Sequence, residues 1–170
     1  MVTPGGFNPD ILEPGDCLLY QGRSLFSWAI RLKTWSFVSH CEAYIGNGRA
    51  LASRDGEGVS NYPLRLDGLV EVLRPNEPLD LDAGIQWYGT VRGASYDVLQ
   101  LFTFLRAGRK QLEDEKAFFC SEFLNSFYRH CGLKAFAKTY PSTAVSPGMF
   151  RASPHFDVVW TTLPYAAPTA

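Results

Sequence analysis

Charge of a single sign is the first thing missing from this chain. Sixteen Lys and Arg stand against seventeen Asp and Glu, a net charge of −1. Such a balance advertises no polyanion partner and predicts no nucleic acid. The one basic cluster, Arg106 to Lys110, is followed at once by Glu113-Asp114-Glu115, the pattern of a solvated loop of mixed sign. Long apolar runs are missing too. None approaches the roughly 18 residues of a spanning helix, and Met1-Val2-Thr3-Pro4-Gly5-Gly6 carries neither the basic nor the apolar region of a secretory signal. The expectation is no stable membrane insertion and a cytoplasmic or virion-associated protein. Cysteine is scarce and unpatterned: Cys17, Cys41, Cys120 and Cys131 include no CxxC pair. That excludes a disulfide framework and gives no motif for a metal, so no cofactor is expected.

What is present describes a folded domain. A chain of 170 residues predicts one domain, and 46% hydrophobic against 19% charged residues excludes a disordered chain. Aromatics reach 14%, enough for a large aromatic core. Residues 1–14, rich in Pro and Gly, read as an extended N-terminal arm ahead of a domain over 15–165. Short strands are predicted at Cys17–Tyr20, Ser39–Ile45, Arg49–Ser53, Val59–Leu64, Leu69–Leu73 and Asp157–Thr161, with Gly46-Asn47-Gly48 as a hairpin turn. Helical spacing runs from Ser24 to about Trp35, from an Asp82 cap to Val91, over Val98–Leu105, and from Cys120 to Gly132. Irregular alternation of helices and antiparallel hairpins makes the class α+β: a curved antiparallel sheet packed on helices.

Two residues stand where chemistry is favoured. Cys120 occupies the first turn of its predicted helix, where the macrodipole and free N–H groups favour a thiolate. A buried thiol packed beside Phe118 and Phe119 is the plainer alternative. His40 opens a strand on which alternation puts His40, Glu42 and Tyr44 on one face and Cys41, Ala43 and Ile45 on the other. That polar face is either solvated or lines a site. His130, at a helix end, and His155, in the tail, are weaker candidates.

Read in order, Gly15 to Tyr20, Ser39-His40-Cys41-Glu42-Ala43-Tyr44-Ile45-Gly46, Tyr96-Asp97, Phe119-Cys120-Ser121-Glu122-Phe123-Leu124 and Ser146-Pro147-Gly148 resemble the blocks of the circularly permuted NlpC/P60 cysteine hydrolases. The resemblance implies a single papain-like domain with Cys120 as nucleophile and His40 as general base. It implies cleavage of an amide, foremost in a cell-wall peptide, with a lipid-type amide or ester as the other substrate class. The family's third polar residue, on the strand after the histidine hairpin, falls here at Ala52. Glu42 is then the best orienting group, with Ser53 and Asp55 behind it. Asp16, Tyr20, Trp35, Tyr44 and Ser53 are the expected walls of a substrate cleft. The alternative function is a catalytically degenerate module with a structural or interaction role in a larger assembly, such as that of a phage.

Overall fold

The computed structural model describes residues 6–22, 31–32, 35–95, 119–136 and 145–163. Six strands form one antiparallel sheet: β1 (Cys17–Tyr20), β2 (His40–Gly46), β3 (Arg49–Arg54), β4 (Gly58–Pro63), β5 (Leu69–Pro75) and β6 (Phe156–Thr161), in the order β4-β3-β2-β1-β5-β6. The α-helices among the described residues are α1 (Leu81–Val91), α2 (Cys120–His130) and the short α3 (Met149–Ala152). The chain is a small α+β domain built on this sheet. Among the described residues no helix is long and apolar enough to cross a membrane.

The β2–β3 hairpin turns where the sequence predicts it. Gly46, Asn47 and Gly48 have φ of +91°, +52° and +66°, the left-handed region that Gly enters freely and Asn more readily than other side chains. That turn sets the register. Ala43 pairs with Leu51 and Tyr44 with Ala50, so the same ladder continued sets Glu42 across from Ala52, Cys41 across from Ser53 and His40 across from Arg54.

Each face of the sheet carries its own apolar cluster. On one face Cys17, Leu19, Cys41, Ala43, Leu51, Val59 and Leu73 pack under Phe123, Leu124, Phe127 and Tyr128 of α2. These four α2 side chains are fully buried, and large apolar side chains of this kind contribute about 1.5–3 kcal/mol each on burial. A helix buried on most sides has to be central. On the other face Leu18, Tyr20, Ala50, Leu69 and Val72 lie under Phe7 and Leu12, and Phe7 meets Trp160 with ring centroids 4.7 Å apart.

That second cluster corrects the expected arm. Residues 6–14 do not extend away from the domain: Phe7 and Leu12 are buried. Between them Pro9–Ile11 forms a 3-10 turn, and the Asn8 side chain accepts from the Asp10 N–H at 3.1 Å. Helix α1 also begins one cap earlier than expected. Asp80 rather than Asp82 accepts the Ala83 N–H at 3.0 Å, because an N-cap carboxylate reaches the donor three residues ahead. The helix turn α3, after Ser146-Pro147-Gly148, was not anticipated. The helical readings over 24–30, 33–34 and 98–105 and the charged loop over 106–115 lie outside the described residues.

Candidate active site

The site forms where the first residue of α2 meets the first residues of β2. Phe119 holds an extended N-cap conformation, with φ −71° and ψ 157°. Its N–H points to Glu122 Oε2 at 3.5 Å, and its carbonyl accepts the Phe123 N–H at 2.8 Å. Cys120 therefore starts the helix with its sulfur at the N-terminal end, against β2. It is 3% exposed. The His40 ring and Cys41 are the groups that act on that sulfur.

Those contacts sort the four thiols. Donation from the Cys41 side chain, opposed by burial and assisted by the charge and hydrogen bond of His40, holds the Cys120 thiol well below its ordinary range. Burial, with the bond that Cys41 donates to Cys120, pushes the Cys41 thiol up. Cys17 is pushed up chiefly by burial, and Cys131 by burial and the Asp80 charge to about 12. Of the four, Cys120 alone is pulled down.

His40 and Glu42 share a face of β2, as alternation predicts, and their side chains meet: His40 Nε2 lies 3.0 Å from Glu42 Oε1. The carboxylate thus takes the far ring nitrogen rather than Nδ1, the nitrogen expected for a neighbour two residues along. Nδ1 is the ring nitrogen that Glu42 does not engage. Burial alone would lower the His40 pKa. The charge and hydrogen bond of the Cys120 thiolate, and then Glu42, outweigh it and bring His40 to about 9.

Glu42 is fully buried and ionised at once. Arg54 forks onto it, Nε to Oε1 at 3.0 Å and Nη2 to Oε2 at 3.1 Å, and Arg65 Nη2 adds a contact to Oε1 at 3.4 Å. Burial would raise this carboxyl. The hydrogen bond and charge of His40, followed by those of Arg54, lower it to about 2. Fork geometry of this kind fixes a carboxylate in plane as well as neutralising it. Arg54 and Arg65 were missed in the sequence. Counting the ladder back from the Gly46–Gly48 turn puts Arg54 opposite His40, so its signal was there. Arg65, in the loop after β4, had none.

Tyr20 pairs with His40 across the β1–β2 ladder, and the two rings lie 5.9 Å apart. Its hydroxyl donates to the Arg65 carbonyl at 3.1 Å, and the Arg65 guanidinium sits 4.6 Å above its ring. Tyr20 is buried, so it backs the imidazole and is not a wall open to substrate. The structure places the other expected wall residues as follows. Asp16 is buried and held by Arg74, Nε to Oδ1 at 2.9 Å and Nη2 to Oδ2 at 3.0 Å, and by the Glu13 N–H at 2.8 Å. Ser53 is buried across from Cys41, on the sheet face opposite Glu42. Tyr44 lies four residues along β2, about 13 Å from His40, and its hydroxyl accepts the Gly48 N–H at 3.4 Å. Asp55 is exposed in the β3–β4 turn. Trp35 is 93% exposed and lines a surface depression with Arg31, Leu32, Ser36 and Phe37, five residues before His40.

No family model matches the sequence, and no curated protein matches it. The fold is similar to that of the metalloprotein yiiX from Escherichia coli O157:H7, DUF1105. The TM-score is 0.65 over 89% of this chain and 98% of that one, at 20% sequence identity. At that identity the likeness concerns fold alone. Among the described residues no group of three or more His, Cys, Asp or Glu is arranged to hold a metal ion. Chemically, the arrangement is a buried thiol whose ionisation His40 favours, beside an imidazole that rests on a fixed carboxylate.

Proposed function

We propose that the chain is a cysteine hydrolase with a permuted papain-like domain, in which Cys120 is the nucleophile, His40 the general acid and base, and Glu42 the orienting carboxylate. One observation carries the reading: the His40 ring rests on the buried Glu42 carboxylate at 3.0 Å, and the charge of that ring helps hold the Cys120 thiol low. A nucleophile bonded to a base that a third group orients is the recurring geometry of acyl transfer.

The Cys120 thiolate attacks the carbonyl carbon of an amide or ester. As the carbon–sulfur bond forms, the carbonyl electron pair moves onto oxygen, where the N–H groups at the start of α2 favour it. Collapse of this adduct breaks the bond to the leaving amine, which takes the Nδ1 proton of His40. The neutral imidazole then removes a proton from water, the resulting hydroxide attacks the thioester, and Cys120 departs as thiolate. Glu42, on Nε2, keeps the ring in one orientation and stabilises the imidazolium between turnovers.

The substrate class proposed first is the amide of a cell-wall peptide, with a lipid-type amide or ester second. The second reading is a catalytically degenerate module in a larger assembly; Glu42, across the ladder from Ala52, supports the hydrolase reading over it because it supplies a carboxylate to His40. Nor is a step routed through a metal, despite the likeness to a metalloprotein. Both Glu42 oxygens are engaged by Arg54, and the donor set does not fit an ion. Incubation with purified peptidoglycan and with model acyl amides, read by mass spectrometry, tests the proposal. Products from wild type and none from Cys120→Ala are expected; equal products from the variant overturn it. Iodoacetamide at pH 6 is expected to label Cys120 ahead of Cys17, Cys41 and Cys131, and equal labelling of all four overturns the nucleophile.

A further inference from the structure

Large apolar side chains stand in water just ahead of β2. Among the described residues Trp35 is 93% exposed, and Leu32 and Phe37 are each 57% exposed. With Arg31 and Ser36 they line one surface depression of about 350 Å³. Single apolar residues on a surface need no explanation, but a contiguous group marks a contact. Backbone preference does not account for Trp35 either. It holds φ +50°, a region that bulky side chains rarely enter; at the β2–β3 turn the same region falls to Gly46, Asn47 and Gly48. The segment is nonetheless firmly seated. The Ser36 N–H donates to the Arg31 carbonyl at 3.2 Å, and the Val38 N–H donates to Ser36 Oγ at 3.1 Å. Gly148, ahead of α3, lies so close that a Cβ there would strike Ser36 Oγ.

Charge says what covers this face. No Asp or Glu occurs between Asp16 and Glu42, whereas Arg23, Arg31 and Lys33 do. The thirteen cations left over are outnumbered by seventeen acids. Positive charge in a net-negative chain therefore gathers along the segment that bears the exposed rings. Arg31 also carries a donor without an acceptor: its Nε is buried and bonded to nothing. A buried unpaired donor is costly, and on a guanidinium its natural acceptor is an anion such as phosphate.

We propose that the face formed by Arg31, Leu32, Trp35 and Phe37 docks on an anionic lipid surface, the three apolar side chains entering the headgroup layer and Arg31 taking a lipid phosphate. Trp favours that layer, and cations beside it are drawn to anionic headgroups. A second copy of the chain fits less well, because a two-fold contact through this face would set its cations against their own like charges. Attachment is peripheral: only side chains enter, and no helix among the described residues is long and apolar enough to span. Phe37 is three residues ahead of His40, at most about 11 Å of extended chain, so the docked layer lies beside the candidate active site. Docking uses no thiol and stands apart from hydrolysis.

The full-length chain is sedimented with sucrose-loaded vesicles of phosphatidylcholine containing about one-third phosphatidylglycerol, and with vesicles of phosphatidylcholine alone. Wild type is expected to bind the anionic vesicles at least about 5-fold more tightly than the neutral ones, and less tightly in about 0.5 M salt. Trp35→Ala is expected to weaken anionic binding by about 10-fold or more, with thermal unfolding unchanged because the ring is exposed. Arg31→Gln is expected to lose about 5-fold on anionic vesicles and little on neutral ones. Should Arg31→Gln not fold, Trp35→Ala decides alone. Ile85→Ala removes an apolar side chain 43% exposed on α1 and is expected to bind as wild type does, as is Cys120→Ala. Wild type that stays in the supernatant overturns the proposal, and so does equal affinity for the two vesicle types. Binding unchanged in Trp35→Ala overturns it as well, as does a dimer that Trp35→Ala abolishes in a chain that ignores vesicles.

Discussion

Asp16 and Glu42 invite comparison because they are so alike locally. Each is a buried carboxylate beside the central strands, and each takes both nitrogens of an arginine fork, Arg74 for one and Arg54 for the other. The remaining partner of Asp16 is a backbone N–H, that of Glu13. The remaining partners of Glu42 are Arg65 and the His40 ring, on which the Cys120 charge acts. A forked carboxylate is therefore a rigid anchor and no more than that. What it anchors is decided by position: Asp16 ties the N-terminal segment to β5, while Glu42, two residues from His40 on one strand face, fixes an imidazole.

The widest separation between the two regions comes from the residues that only one of them holds. Replacing Cys120 or His40 with Ala is expected to lower kcat by about 10⁴-fold or more, since members of such a unit fail together. Thermal unfolding checks that the fold survives. A His40→Ala variant with wild-type turnover removes the imidazole from the chemistry and makes the two carboxylates equivalent.

The direct comparison is next in size. Glu42→Gln is expected to cut kcat by about 10–10³-fold, since an amide still orients the ring but no longer stabilises imidazolium by charge. It also leaves the Arg54 charge uncompensated, a loss of about 3 kcal/mol in urea unfolding. Asp16→Asn is expected to show the stability loss alone, about 2 kcal/mol because Arg74 is 29% exposed. Equal falls in kcat from the two variants would erase the distinction.

How far this distinction was legible depends on range along the chain. β1 was read to the residue, and the hairpin, the shared face of His40 and Glu42, and the helix start at Cys120 all follow from local turn chemistry and period-2 or helical spacing. The parity of Ser53 was countable too: the turn at 46–48 puts it opposite Cys41, on the face away from Glu42. Asp16 was placed in the cleft because it precedes β1, and its partner Arg74 is 58 residues away. Arg65 and the packing of Phe7 on Trp160 are likewise tertiary facts with no local pattern. Sequence spacing finds what one strand or one helix presents, and misses what another segment brings to it.

A pH profile sharpens the comparison without mutation. The His40 pKa is raised from 6.5 to about 9, so its contribution to stability is full below about 6.5 and is lost as pH rises through about 9. The Glu42 pKa is lowered from 4.5 to about 2, so its contribution is full above about 4.5 and is lost as pH falls through about 2. Activity should follow the alkaline member: kcat/KM falls on a limb near pH 9, where the imidazolium that protonates the leaving group disappears. In Glu42→Gln that limb should move to lower pH, and in Asp16→Asn it should stay. A limb unmoved by Glu42→Gln would mean that the carboxylate does not act through His40.

The finest separation lies in the forks themselves. Lysine keeps the charge of arginine but offers a point donor in place of two parallel N–H groups, so it holds a carboxylate without fixing its plane. Arg54→Lys leaves Glu42 ionised and buried, and the ring it orients gains some rotational freedom. A reacting nitrogen displaced by a fraction of an ångström loses rate steeply, so a fall in kcat of about 3–10-fold is expected, with KM little changed. Arg74→Lys makes the same chemical change at Asp16, where the carboxylate orients only backbone. There about 1 kcal/mol of stability is expected to go, and kcat to hold within about 2-fold. Matching kinetics for the two lysine variants would show that Glu42 needs only a nearby positive charge. A rate loss confined to Arg54→Lys would show that the site depends on the geometry of the fork, because both variants keep the charge.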